Sequence, residues 1–283
     1  MLVKNRLSVR LQSEKPIIMG ILNATPDSFS DGGKFLVTRD AVEAGISMFL
    51  DGADIVDIGG ESTRPGASPV TAEEQLARVL PVITALKADS RFPEAGMISI
   101  DTCSARVADE SIAAGAEMVN DVTAGTGDPG MLPLLAEAGV PVVLMHMQGT
   151  PETMQADPHY HDVVSEVIDY LLNRIEAAKT AGVPDGNIII DPGIGFGKRR
   201  EHNLSLLANL DRIVDLGYPV LLGCSRKRFM GAICREQQPR ELLGATVATT
   251  ALGVRQGVRL FRVHDVKANR QAADVAQAIA AGR

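Results

Sequence analysis

Asn23, Asp101, Asn120, His146, Asp191, Lys227, Arg262 and His264 differ in chemistry but share one placement. Each stands at, or within a few residues of, the end of a short run rich in Val, Ile and Leu. The runs are 17–22, 54–56, 97–100, 117–119, 142–145, 188–190, 219–222 and 258–263, and the second leads to Asp57. Carboxylates and amides can exchange hydrogen bonds with a polar ring. An Arg-x-His pair such as Arg262 and His264 can hold an anion, because residues two apart on a strand face the same way.

The elements that must position these groups follow from the pattern between the runs. Helical spacing recurs over 39–50, 72–88, 105–114, 131–138, 163–181, 204–216, 241–255 and 270–280. Ala-Gly pairs at Ala114-Gly115, Ala138-Gly139 and Ala181-Gly182 supply glycines that can end a helix in the left-handed region. Eight alternations of strand and helix, without hairpin signals, predict a single (β/α)8 TIM barrel over 1–283. The active site of that fold lies at the C-terminal ends of its strands. Residues 1–16 are expected to form a short strand or hairpin, an extension closing the barrel bottom. Two connections, 24–37 and 59–70, are long for this fold and mix Gly, Pro, Ser, Thr and Asp. Such lengths suit lids at the catalytic end.

Three strings lie close to known devices. DPGIGFGK (191–198) fails the phosphate-loop pattern, with Pro192 at the first glycine position and Arg199 after Lys198. It also fails the dinucleotide pattern, since Lys198 takes the place of the last glycine. Its glycines suit close approach to a flat ligand, which Asp191 would face. GCSRKRFMG (223–231) puts three cations at a helix start, with Lys227 expected inward and Arg226 and Arg228 on a solvated surface. RVHDVK (262–267) offers the Arg262/His264 clamp near strands 7 and 8, where phosphate sites of this fold often lie. Met145 reads as a packing or ring-contact residue, and His159 and His161 as an exposed loop pair. Asn23 is a reasonable ligand for Mg²⁺, which takes few protein groups and relies on substrate phosphates and water.

Composition narrows the classes further. The 283 residues fit one barrel of about 250. No apolar run reaches membrane-spanning length, and residues 1–15 show no apolar signal segment. Three scattered cysteines suit reduced thiols and a cytoplasmic location. A net charge of −7 argues against a general nucleic-acid binder while leaving room for a local basic site. No Ser-His-Asp order, reactive-cysteine context, paired-glutamate signature or HExxH zinc motif suggests hydrolysis or zinc chemistry.

The strings MGILNATPDSFSDGG, DIGGESTRPGA, LMHMQGTPETMQ, DPGIGFGK, SRKRF and RVHDVK, in this order, resemble those of the dihydropteroate synthase family of folate biosynthesis. The resemblance runs from about Ile17 to Lys267, and its first two strings are highly specific. It implies a barrel enzyme, a transferase of a pterinylmethyl group, joining 6-hydroxymethyl-7,8-dihydropterin pyrophosphate to p-aminobenzoate. It also implies Mg²⁺, a homodimer and sensitivity to sulfonamides. By that resemblance Asp101, Asn120, Asp191 and Lys227 hold the pterin, and Asn23 meets the metal. Thr63, Arg262 and His264 meet the pyrophosphate, while Phe29, Thr63, Arg64, Pro65 and Lys227 shape the p-aminobenzoate site. Arg228 departs from the small hydroxyl residue some members carry there, leaving carboxylate recognition to backbone N–H groups.

Three rivals stand beside this reading. A pterin-dependent methyltransferase would have no use for the Arg262/His264 clamp or the two lid strings. A non-catalytic paralogue would be expected to lose Lys227, Arg262 or lid residues. A sugar-phosphate barrel would leave Asp101, Asn120 and Asp191 without a heterocycle to match.

Overall fold

In a computed structural model of the chain, eight parallel strands form one sheet with the order β6-β5-β4-β3-β2-β1-β8-β7. The strands are β1 (Ile17–Asn23), β2 (Ile55–Gly59), β3 (Met97–Asp101), β4 (Met118–Asp121), β5 (Val142–Met145), β6 (Ile188–Asp191), β7 (Leu221–Leu222) and β8 (Leu260–Val263). A parallel bridge between Ile190 and Val220 brings β6 to the start of β7 and almost closes the barrel. Residues 6–24, 34–61 and 70–282 are described, with the backbone alone for 34–37.

Side-chain alternation along each strand sorts the sequence into two cores. Ile18, Leu22, Val56, Ile58, Ile98, Ile100, Val119, Leu144 and Phe261 face outward and pack under the helices. Ile17, Met19, Ile55, Met97, Met118, Val143, Ile189, Leu221 and Leu260 face inward and fill the lower barrel. Further along the same inward faces the residues turn polar: Asp57, Ser99, Asp101, Asn120, Asp191 and Arg262. One barrel thus carries a dry floor for stability and a polar upper layer for binding.

The N-terminal segment differs from the strand or hairpin expected of it. Residues Arg6–Leu11 form a helix, α1, and Leu7 from it joins the inner core. The single buried leucine explains the error. A six-residue helix leaves too short a stretch for helical periodicity to register, and its docking depends on the barrel floor it meets.

Around the sheet lie α2 (Lys34–Leu50), α3 (Ala72–Ala88), α4 (Ala105–Ala113), α5 (Met131–Ala138), α6 (Val163–Thr180), α7 (Arg200–Ala208), α8 (Leu210–Val214), α9 (Arg228–Cys234), α10 (Leu243–Arg255) and α11 (Val266–Ala280). Thr71 and Asp162 cap α3 and α6 by accepting backbone N–H groups of the first turn. Gly139, at φ 66°, ends α5 in the left-handed region. Three helices begin earlier than their periodicity suggests: α2, α7 and α11. The stretch 204–216 breaks into α7 and α8 at Asn209, and α9 is an extra turn ahead of α10. The start of α2 shortens the first long connection. The ends of the second are tied together by Glu61, which accepts from Val70 N–H at 2.9 Å and from Gln75 Nε2 at 3.1 Å.

Candidate active site

Register sets the heights of the polar residues. Asn23 pairs with Gly59, Gly59 with Asp101, and Asp101 with Asn120, so four strands present one row at the barrel mouth. Gly59 carries no side chain in that row. A Cβ there would sit 3.6 Å from Asp101 Cβ, 3.7 Å from the Glu61 carbonyl and 3.8 Å from Asn23 Oδ1. The glycine therefore opens a cradle between an amide oxygen, a carboxylate-bearing side chain and a backbone carbonyl.

Beneath this row Arg262 reaches across the barrel. Its Nε donates to Asp57 Oδ2 at 2.6 Å and its terminal amino group to Asp101 Oδ2 at 2.7 Å. Asp57 Oδ2 also accepts from Asn120 Nδ2 at 3.2 Å. One cation thus answers two buried carboxylates, and it needs to, since each would be costly alone. Burial pushes Asp101 up to about 7, against the opposing pull of Arg262. Asp57 Oδ1 and Ser99 Oγ, on residues paired in register, are buried with no hydrogen-bond partner among the described residues. This polar layer keeps hydrogen-bonding capacity beyond its internal contacts.

On the far wall Asp191 ends β6. Its Oδ1 accepts the Gly193 N–H at 2.7 Å, and its Oδ2 faces Gly223, which has no side chain to cover it. Burial raises Asp191 to about 6, with the Gly193 N–H and the Lys227 and Lys198 charges opposing. Lys227 caps the start of α9, and its Nζ lies 4.1 Å from the centre of the Phe196 ring. Burial lowers Lys227 to about 8, with Asp191 among the groups holding it up. The carboxylates of Asp191 and Asp101, the Asn120 amide and the Lys227 amine, all at or just beyond strand ends of one mouth, suit a ring with several polar N–H groups.

Only Arg262 of the Arg-x-His pair lies within β8 itself. β8 ends at Val263, and His264 lies beyond it, with Nδ1 2.9 Å and its own N–H 3.1 Å from Ser225 Oγ. Arg262 is turned into the barrel by its two aspartates. Arg226 is also not the solvated residue expected: it sits at φ 58° and makes a two-point ion pair with Asp265 at 3.0 and 2.7 Å. Arg228 is exposed, as read, and so are His159 and His161. Phe29, Thr63, Arg64 and Pro65 lie outside the described residues.

Three participants were missed as such. Asp57 was noted only as the residue its run leads to, and Ser225 only by position. Lys198 was read only as the residue that spoils two motifs, yet it is buried at 3 % exposure. Nothing in a lone sequence marks a lysine as buried, but the glycines flanking it were the available sign that its loop packs closely.

The comparisons with known proteins agree with this geometry. A family model described as pterin binding enzyme matches residues 19–264. The dihydropteroate synthase of Escherichia coli (strain K12) is 44% identical over 268 residues, which is 95% of this chain and 93% of that protein. The mitochondrial folate synthesis bifunctional protein of Arabidopsis thaliana is 44% identical over 94% of this chain, which spans only half the length of that relative. Among solved structures, the Xanthomonas albilineans dihydropteroate synthase with 4-aminobenzoic acid superposes with a TM-score of 0.87 at 47% identity, covering 94% of this chain and 93% of the other. A mouth built to hold a flat, nitrogen-rich ring, and a family model that spans nearly every strand around it, agree: the chain belongs to the family of pterin-binding enzymes.

Proposed function

We infer that the chain catalyses the dihydropteroate synthase reaction of folate synthesis, transferring a pterinylmethyl group from 6-hydroxymethyl-7,8-dihydropterin pyrophosphate to p-aminobenzoate. The observation that carries this reading is the pairing of Asp191 and Lys227 on one wall with Asp101 and Asn120 on the other, beside the Arg262 guanidinium. The ionised Asp191 carboxylate accepts two hydrogen bonds from the amino group and ring N–H of the pterin, and Asn120 and Lys227 address the rest of its polar edge. Phe29, Thr63, Arg64 and Pro65, with Lys227, remain the proposed p-aminobenzoate contacts, and Thr63 the further pyrophosphate contact.

The chemistry is a substitution at the exocyclic methylene. The carbon–oxygen bond to pyrophosphate breaks, and the electron pair leaves with the diphosphate. The electron-rich dihydropterin carries the resulting positive charge, which the Asp101 carboxylate stabilises through space. The neutral amine of p-aminobenzoate then forms the carbon–nitrogen bond and gives up a proton. Arg262 has five N–H donors, of which Asp57 and Asp101 take one each, so it can neutralise a phosphate oxygen without leaving its aspartates. His264, oriented by Ser225, adds a second group to the anion site. No covalent enzyme intermediate is needed, and isolation of a pterinyl-enzyme adduct would refute this route.

Asn23, whose Oδ1 borders the open space at Gly59, would be the protein oxygen for a magnesium ion that relies otherwise on substrate phosphate and water. Among the described residues no cluster of three or more His, Cys, Asp or Glu offers an all-protein cage. When bound, such an ion supplies charge neutralisation on the diphosphate.

Three further expectations belong to the same reading. Exposed Leu252, Val275 and Ile279 on α10 and α11 support a homodimer formed by these helices. Free Cys103, Cys224 and Cys234 support a reducing, cytoplasmic setting; among the described residues no helix is long and apolar enough to cross a membrane. Sulfonamides, which mimic p-aminobenzoate, are expected to compete with it. The test of the whole is to mix the protein with Mg²⁺, dihydropterin pyrophosphate and p-aminobenzoate and follow pyrophosphate and dihydropteroate together. Both products, dependent on p-aminobenzoate, are expected; pterin binding without either product would favour a methyltransferase or a non-catalytic paralogue.

A further inference from the structure

The loop after β6 is held by hydrogen bonds at many of its backbone groups. Gly193 N–H donates to Asp191, Gly195 N–H to Asn203 Oδ1 at 2.7 Å, and Phe196 N–H to the Gly193 carbonyl at 3.1 Å. The Gly195 carbonyl accepts from Gln155 Nε2 and the Gly197 carbonyl from the Tyr160 hydroxyl, each at 2.7 Å. At the centre is Lys198. Its Nζ lies 2.9 Å from the Gly193 carbonyl, 3.0 Å from the Phe196 carbonyl and 2.8 Å from His146 Nδ1. Burial pulls the Lys198 amine well below the usual lysine range, with Asp191 opposing, and charged or neutral it keeps an N–H for each of the two carbonyls. His146, at the end of β5, is kept neutral by burial, with the Lys198 charge adding to the effect, so its lone pair is available to accept. Contact is too close for side chains: a Cβ at Gly193 would stand 1.8 Å from the His146 carbonyl, and one at Gly197 2.4 Å from that of Gln148.

We propose that Lys198 is a positioning residue for the pterin site, its buried amine tying the 191–198 loop to the end of β5 so that Asp191 and the Phe196–Lys227 pair face the ring at fixed spacing. Tyr160 acts in the same clamp from the 146–162 connection. The groups it orients are Asp191, through the Gly193 turn, and Lys227, through the Phe196 ring at 4.1 Å. A side chain without N–H groups would leave the Phe196 carbonyl without its Lys198 donor and the Gly193 carbonyl with the Phe196 N–H alone, and let the loop relax. The proposal rests on the pterin reading above and deepens it.

The test is direct binding of 6-hydroxymethylpterin by calorimetry, together with steady-state kinetics, on Lys198→Met and Tyr160→Phe. For a folded Lys198→Met protein, pterin affinity is expected to fall about tenfold or more. The KM for p-aminobenzoate should rise less than the pterin Kd, because of its proposed contacts only Lys227 is reached through the clamp and the others lie on other loops. A merely structural lysine would lower the melting temperature and the folded fraction while leaving the pterin Kd of the folded protein unchanged, and that result overturns the proposal. If Lys198→Met does not fold, Tyr160→Phe decides, since it removes only one hydroxyl. A several-fold weaker pterin Kd supports the clamp, and an unchanged one overturns it. Wild-type protein that fails to bind the pterin would sink the functional reading and the proposal together, whereas a variant equal to a binding wild type sinks the proposal alone.

Discussion

Arg262 is the residue on which the site's electrostatics turn, since it pairs with Asp57 and Asp101 and, in the proposed reaction, also meets the substrate's anion. Replacing it with Ala has two separable costs. Losing leaving-group stabilisation is expected to lower kcat/KM by about 10²–10³-fold. Stranding buried Asp57 and Asp101 should also destabilise the fold by about 3–5 kcal/mol at neutral pH. Urea unfolding beside the kinetics separates the two, and unchanged turnover would remove Arg262 from the mechanism. The pH dependence follows from the same residues. Asp191 must be ionised to accept from the ring, and its raised pKa of about 6 means the active form is lost as pH falls through that value. Asp101, raised to about 7, narrows the acid limb further. Lys227 must be charged, and its lowered pKa of about 8 means its charge is lost as pH rises through that value. A bell-shaped kcat/KM for the pterin substrate is expected between these limits; a profile flat from about pH 5 to about pH 9 would contradict the assignment.

Among the elements, the β6 loop and α1 illustrate opposite uses of local sequence. Gly193 is required twice, by its φ of 65° and by the His146 carbonyl packed against it. Gly193→Ala should cost about 2 kcal/mol or more and weaken pterin binding, because the turn carries Asp191 with it. Denaturant midpoints and pterin titration check both effects. α1 seals the other end, where Leu7 is 1 % exposed in the inner core. Leu7→Ala should lose about 2–5 kcal/mol of stability while leaving both KM values as they were, since the dry barrel floor separates it from the mouth. A change in KM without a change in stability would show that the two ends are coupled.

On the scale of the molecule, the apolar faces of α10 and α11 are the feature a lone barrel leaves unexplained. These helices pack on each other, and Leu252, Val275 and Ile279 are 62, 59 and 64% exposed. Stable homodimers usually bury well over about 1,200 Å², with an apolar centre. Sedimentation should therefore give a dimer for the wild type and a monomer for Leu252→Glu, with the barrel still folded; identical sedimentation of the two would place the interface elsewhere. The barrel itself was legible in advance because eight apolar runs with period-two and period-3.6 spacing admit few alternatives. Asp101, Asn120 and Asp191 were legible as polar ends of such runs, since register places strand ends at one mouth.

Local order in the chain therefore determines which residues reach the mouth: strand alternation sends every second side chain inward, and on β1, β3, β4, β6 and β8 the last inward position is polar. It cannot say whom they meet. That Arg262 bridges Asp57 and Asp101 across the barrel, that His264 is held by Ser225, and that Lys198 is buried against His146 are decided by closure of the sheet. The reason is physical. These partners are 39 to 205 residues apart, with Asp57 and Arg262 the most distant pair, so their contacts exist only after β1 has joined β8 and the loops have packed over the rim.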